Sequence, residues 1–287
     1  MANKRDMTNP AVESDVLTRF LLPDAFTRGA IIRGSAINKE AKRIHGLNGP
    51  VAALFGQTLL ASILLLSISK GGMRQVLQLD AATGSFAPLQ RMMAETRPGA
   101  VRGYVNWQEQ QTALRYEEHA GLSSWMGSPV RLSTVRDMGV GEPYISSIEH
   151  NSEFLADFII HYLHQSVQIR ADIILHGDLA IMIEAMPGCE EEHWFKAVEA
   201  MAKIPNSVLE SASEEAILAY FSELSCKAVG TDHYAYRCSC SQEKMKAALQ
   251  GISSEQLLQM ADEKGKVTLS CQYCDNVYEL EIGAAGN

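Results

Sequence analysis

Four cysteines stand in two close pairs: Cys238-Ser239-Cys240, then thirty residues, then Cys271-Gln272-Tyr273-Cys274. The first 188 residues contain none. Four soft thiolates gathered together satisfy a tetrahedral zinc ion, with Zn–S bonds of roughly 2.3 Å and no open position. The same thiols can instead form two local disulfides. A disulfide across C-x-C is tight and strained, and strained disulfides are the easily reduced, regulatory kind. One across C-x-x-C closes more comfortably. Oxidising Cys271 and Cys274 would remove two ligands at once and eject a metal worth on the order of 10–16 kcal/mol in small modules. The pattern predicts zinc. It leaves open whether zinc is a permanent staple or the reduced half of a switch.

Two other cysteines, Cys189 and Cys226, lie apart from this set and are expected to be ordinary free thiols. His161 and His164 are spaced i, i+3 on an amphipathic stretch without an acidic partner, which favours packed or solvated side chains over a second metal. His233 lies five residues before Cys238 and is the one histidine placed to compete as a ligand. No phosphate loop, dinucleotide fingerprint or G-x-S-x-G elbow is present.

The compartment matters for thiols. Met1 to Asp6 carries basic residues with no apolar run behind them, so no secretory signal is expected. A cytoplasmic chain keeps thiols reduced, where paired cysteines favour metal or redox chemistry. Net charge is −9, and residues 185–287 hold 8 of the 25 Lys and Arg against 16 of the 34 Asp and Glu. That balance opposes nucleic-acid binding, which needs a basic stripe. Val51 to Ser69 is nearly long enough to cross a membrane. Its Gln57, Thr58 and Ser62 point to a buried core helix instead, so no membrane partner is expected.

The elements that must position the cysteines fall into three parts, an α+β organisation. Residues 1–185 form a mixed domain. It opens with a loose polar leader (1–14), then strands Leu17–Pro23 and Thr27–Gly34. Ser35 is placed to cap a short helix, and Asn48-Gly49-Pro50 to start the long apolar one. Strands follow at Gln75–Leu79, Phe86–Met93, Val101–Trp107 and Val130–Val135, then a helix from Glu153 to about Ser166. A hairpin, Ala171–Leu175 with Leu179–Ala185, completes the domain. Residues 186–236 form a helical linker: Glu190–Lys203, Asn206–Ala212 and Glu214–Leu224. Its apolar positions are sparse, so it should be marginal alone and depend on docking. Residues 237–287 form a small module with two short helices, two short strands and the four cysteines. Leu257, Leu258 and Met260 are expected to face inward there. A module this poor in large apolar groups needs a metal to fold.

Three functional classes compete. A thiol–disulfide oxidoreductase would use Cys271 and Cys274, but needs that pair at a helix N-terminus to lower a thiol pKa. A constitutive structural zinc protein would need no redox chemistry. A redox switch would use zinc loss to unfold what the zinc holds.

The segments Tyr236-Arg237-Cys238-Ser239-Cys240-Ser241 and Gly265 to Cys274 (GKVTLSCQYC) resemble the zinc centre of the heat shock protein 33 family, the redox-regulated 33 kDa chaperonins. Leu17 to Gly34, the apolar helix and Val101-Arg102-Gly103-Tyr104 resemble other parts of the same family. Gly141-Glu142-Pro143-Tyr144 departs from the family's turn in lacking its later glycine. The resemblance implies a non-enzymatic chaperone. Zn2+ would be held by Cys238, Cys240, Cys271 and Cys274 in an inactive reduced state. Oxidants would form Cys271–Cys274 and Cys238–Cys240 disulfides, release zinc and unfold the linker. The oxidised homodimer would then bind unfolding clients without ATP and pass them to ATP-dependent refolding chaperones.

Overall fold

The computed structural model describes residues 13–69, 71–107 and 121–281. The expected leader therefore lies, apart from Glu13 and Ser14, outside them. The chain divides into two compact units, Met1–Tyr236 and Arg237–Asn287.

The first unit begins with β1 (Asp15–Leu22) and β2 (Thr27–Arg33), paired antiparallel about a tight turn at Pro23–Ala25. Next come α1 (Ser35–His45) and α2 (Gly49–Ile68), then β3 (Arg74–Asp80), β4 (Leu89–Arg97) and β5 (Ala100–Trp107). A short α3 (Leu122–Met126) leads to β6 (Val130–Asp137) and β7 (Tyr144–His150). α4 (Leu155–Tyr162) runs on into a π-helical turn, Leu163–Val167, before the hairpin β8 (Ala171–His176) and β9 (Leu179–Ala185). α5 (Glu191–Ala202), α6 (Asn206–Ser211) and α7 (Glu214–Leu218) follow, the last extended by a 3-10 segment, Ala219–Leu224. The unit ends in β10 (Lys227–Tyr236).

These strands make one ten-stranded sheet in the order β7-β6-β3-β4-β5-β10-β1-β2-β9-β8. All neighbours are antiparallel except β10 and β5, which meet in parallel through two pairs, Ala235 with Ala100 and Tyr236 with Val101. β10 is thus the seam between two antiparallel halves. The linker was expected to be helical to residue 236, and here the structure corrects that reading. β10 carries Gly230, Asp232 and His233, and half of its residues are exposed, so its pattern alone does not announce a strand. β7, with two serines and a glutamate, is a second strand that its sequence does not announce.

α2 is apolar all round because it is buried all round. Thirteen of its twenty residues are buried, and it packs against Leu77, Leu79, Met92, Ala94 and Val101 of β3 to β5. Gly103 permits this close approach: a Cβ there would sit 2.4 Å from the Met93 carbonyl and 2.9 Å from the Phe55 ring. The polar groups within α2 are satisfied. Thr58 donates to the Leu54 carbonyl, and Thr96 donates to Ser62. Ser35 does not cap α1. It is the first helical residue and donates to Asp178, while the half-buried Asp15 carboxylate of β1 accepts from the Ala36 and Ile37 amides.

The linker helices are docked along their whole length. Ala197, Met201, Ile204, Leu209, Ile217, Phe221 and Leu224 form one buried cluster with Phe20, Leu22 and Ile31 of β1 and β2 and Leu179, Ile181 and Ile183 of β9. Each helix supplies a narrow stripe, and the stripe suffices because the sheet face beneath it is broad and apolar. β10 then delivers the chain to Tyr236. The Tyr236 hydroxyl donates to the Gly103 carbonyl at 2.8 Å, accepts from the Gly103 amide, and lies 2.8 Å from His45 Nε2. Tyr236→Phe should destabilise the first unit by about 1–3 kcal/mol, since it orphans buried partners of that hydroxyl. Urea unfolding of the reduced chain checks this.

Candidate metal centre

The second unit contains α8 (Gln242–Leu249), α9 (Ser254–Met260) and the antiparallel pair β11 (Lys266–Ser270) and β12 (Val277–Glu281). Ser241 and Ser253 cap the two helices, the latter in a capping box with Gln256. The buried core is Leu249, Val267 and Leu280, with Leu257 and Tyr278 packed against it. Leu258 and Met260 were expected inward. They are 70% and 47% exposed, because two short helices over two short strands leave no second layer for them to enter.

Both cysteine pairs sit where elements end. Cys238 and Cys240 occupy the extended segment ahead of α8, where Lys244 of its first turn donates to the Ser239 carbonyl. Cys271 and Cys274 occupy the turn between β11 and β12. There the Cys274 and Asp275 amides donate to the Cys271 carbonyl, and the Cys271 amide donates to Asn276. Asp275 adopts a left-handed φ of 56°, which Asp and Asn tolerate better than most residues.

The four sulfurs lie within 4.8 Å of one another. Cys238 and Cys271 Sγ are 3.7 Å apart, and Cys240 and Cys274 Sγ 3.3 Å. A tetrahedron with Zn–S bonds of ~2.3 Å has S···S edges of about 3.8 Å, so the spacing fits a four-thiolate zinc ion. Among the described residues this is the one cluster of metal-ligating side chains. His233 is held in β10 opposite Val16 and is not part of it. His161 stacks on His150, and His176 lies beside Glu210. Cys189 donates to the Ala25 carbonyl, while Cys226 packs into the linker cluster.

Two groups absent from the sequence reading complete the site. The Tyr278 hydroxyl donates to Cys240 Sγ at 3.0 Å, and Asn276 Nδ2 approaches the same sulfur at 3.9 Å. The alternation of Tyr278 with Leu280 was a visible signal of an inward face, but its target was not. Burial raises the Cys240 thiol, yet the Tyr278 hydroxyl and the neighbouring thiols outweigh it and bring its pKa down to about 7. Its sulfur pushes the Tyr278 hydroxyl up to about 12. Burial, with the Cys238 and Cys240 sulfurs adding to it, raises Cys271 and Cys274. Neither Cys271 nor Cys274 opens a helix, so the arrangement that activates a thiol nucleophile is absent from this pair.

A metal reverses that titration, because a coordinated thiol is deprotonated outright. Zinc held there would displace the protons of Cys271 and Cys274, whose free thiols burial keeps protonated at neutral pH. Affinity is therefore present at high pH and lost as pH falls. These two protons alone correspond to about a hundredfold per pH unit, and Cys240 adds to the slope below its pKa of about 7. Chelator competition between mildly acidic and mildly alkaline buffers measures the slope, and a flat profile would exclude these two ligands.

The family model described as Hsp33 protein matches residues 15–281. The 33 kDa chaperonin of Desulfotalea psychrophila is 28% identical over 283 residues, covering 93% of this chain and 94% of that one. That of Bacillus subtilis is 24% identical over 278 residues, covering 92% and 94%. The crystal structure of the 33 kDa chaperonin (heat shock protein 33 homolog) from Thermotoga maritima superposes with a TM-score of 0.76 at 22% identity, over 93% of this chain and 94% of that one.

Proposed function

The chain belongs to the Hsp33 family of chaperones, and on that premise we propose that it is a redox-regulated, ATP-independent holdase of the cytoplasm. In the reduced state Cys238, Cys240, Cys271 and Cys274 hold zinc and the protein is inactive. Peroxide or hypochlorite, acting with unfolding stress, forms Cys271–Cys274 and Cys238–Cys240 disulfides. Each disulfide takes two electrons from two thiolates, and one peroxide is reduced to water. Zinc, left without ligands, departs, and the second unit loses what its three-residue core cannot replace. The linker helices, within 191–224, then leave the sheet and unfold. Residues 1–185 bind unfolding proteins, the oxidised chain acts as a homodimer, and clients pass on to ATP-dependent refolding chaperones.

The observation that carries this reading is the four-sulfur cluster at zinc–thiolate spacing in a unit with almost no apolar core. The docked linker supports it from the other side. α5 to α7 cover an apolar sheet face that includes Phe20, Ile31 and Ile181, and their release would present that face to clients. Against an oxidoreductase stands the raised pKa of Cys271 and Cys274, away from any helix start.

The test treats reduced, zinc-loaded protein with peroxide at heat-shock temperature. Zinc release and aggregation of a chemically denatured client are followed together. About one zinc per chain should appear as aggregation becomes suppressed. Oxidation without zinc release, or protection that is the same before and after, sinks the switch. Insulin reduction with turnover would support the oxidoreductase instead.

A further inference from the structure

The ten-stranded sheet has two edges, β7 and β8, and they are built differently. β8 is six residues long and carries the half-buried carboxylate of Asp172, the kind of charge that blunts an edge. β7 is seven residues in unbroken register with β6, from Val130–His150 to Arg136–Tyr144. It contains no lysine, no proline and no bulge, and its one acidic side chain, Glu149, is exposed rather than half-buried as Asp172 is. Among the described residues no strand pairs with its outer side. Tyr144 is 45% and Ile145 72% exposed. Beside them, at the turn from β6, Met138 and Val140 are also exposed.

The sheet face opposite α2 shows what an added strand would meet. Cross-strand pairing sorts β3, β6 and β7 into rows. Val76, Val135 and Ile145 form an apolar row running out to the edge. Gln78, Ser133 and Ser147 form a small polar row next to it. Asp80, Arg131 and Glu149 form the third, with Arg131 3.6 Å from Asp80. That row alternates in charge and ends on exposed Glu149, which has no ion-pair partner among the described residues. The next strand outward is completed by an apolar residue opposite Ile145 and a cation opposite Glu149.

We propose that the outer edge of β7 takes up an extended segment of an unfolding polypeptide by strand addition. The segment carries an apolar residue against Ile145 and a lysine or arginine against Glu149. In an antiparallel addition the cation lies four residues before the apolar residue. This deepens, and rests on, the chaperone reading, and it assigns a client surface separate from the face covered by the linker. A second copy of this chain fits worse. Pairing two β7 strands about Ser147, the register that uses all seven residues, sets exposed Ile145 against Glu149, and each chain carries a net charge of −9.

The experiment uses the full chain, zinc-loaded and reduced or peroxide-oxidised. The probe is a fluorescent ten-residue peptide of alternating valine and threonine, with lysine four residues before a central isoleucine. A companion peptide has glutamate in place of the lysine. Wild type should prefer the lysine peptide by about threefold, the size of a favourable cross-strand charge pair, and Glu149→Lys should reverse the preference by a similar factor. Ile145→Ser should weaken both peptides. The charge reversal keeps this independent of folding, because the variant must gain as well as lose. An unchanged preference in Glu149→Lys overturns the proposal. So does failure of both peptides to bind oxidised protein that still suppresses client aggregation, an outcome that leaves the chaperone reading standing. Oxidised protein that binds the lysine peptide yet protects no client sinks the chaperone reading instead. If Ile145→Ser converts a sedimenting dimer to monomer, the occupant is a second copy and the proposal falls.

Discussion

Cys271→Ser protein should bind zinc on the order of a hundredfold more weakly than wild type. A four-thiolate site contributes ~10–16 kcal/mol in small modules, and a quarter of that is roughly 3 kcal/mol. Serine supplies a hard, protonated oxygen where a soft thiolate stood, and the turn that presents it is otherwise unchanged. The loss should be felt as folding as well as affinity. Among the described residues, Leu249, Val267 and Leu280 are the large apolar side chains that the second unit buries. Without metal, amides of residues 242–281 should exchange rapidly in reducing buffer, with no oxidant present. Competition with a chromophoric chelator gives the affinity, and hydrogen exchange gives the folding. An unchanged zinc affinity would contradict a four-thiolate site outright. Retained protection despite weak binding would show that the unit folds on its own core.

The second large effect belongs to the linker. Phe221 is fully buried against Phe20, with ring centroids 5.6 Å apart, at the centre of the cluster that seats α5 to α7 on the sheet. Phe221→Ala removes that contact at a cost of about 3–5 kcal/mol. The linker helices are short and acidic, so they have little intrinsic helicity to fall back on. Phe221→Ala protein should suppress aggregation of a denatured client while reduced and fully zinc-loaded. Exchange protection over 191–224 should fall at the same time. Wild-type protection in that segment, with activity still strictly dependent on peroxide, would remove the docked linker from the mechanism.

Sequence was most informative where chemistry is local. Thiolate softness and the spacing of Cys238, Cys240, Cys271 and Cys274 do not depend on the rest of the chain, and the four sulfurs stand together as the pattern required. The three linker helices were equally visible, since Pro205 and the serine and asparagine starts are punctuation the backbone obeys locally. α2 announced itself by apolar composition. Whether that meant a membrane or a core was decided by burial: 78% of its most apolar window is inside the protein.

What tertiary structure alone decided is pairing. β7 and β10 have weak strand patterns, because one face or edge of each is wet and a solvated residue carries no periodic mark. Their place is set by neighbours distant in sequence: β6 for β7, and β1 and β5 for β10. Tyr278 meets Cys240 for a related reason, a contact between segments distant in sequence that composition does not encode. The sequence by itself determined which thiols could hold a metal and where the linker helices start and stop. The fold determined what those helices cover and which sheet edge stays open, because hydrogen-bonded register and face burial are properties of pairs of segments.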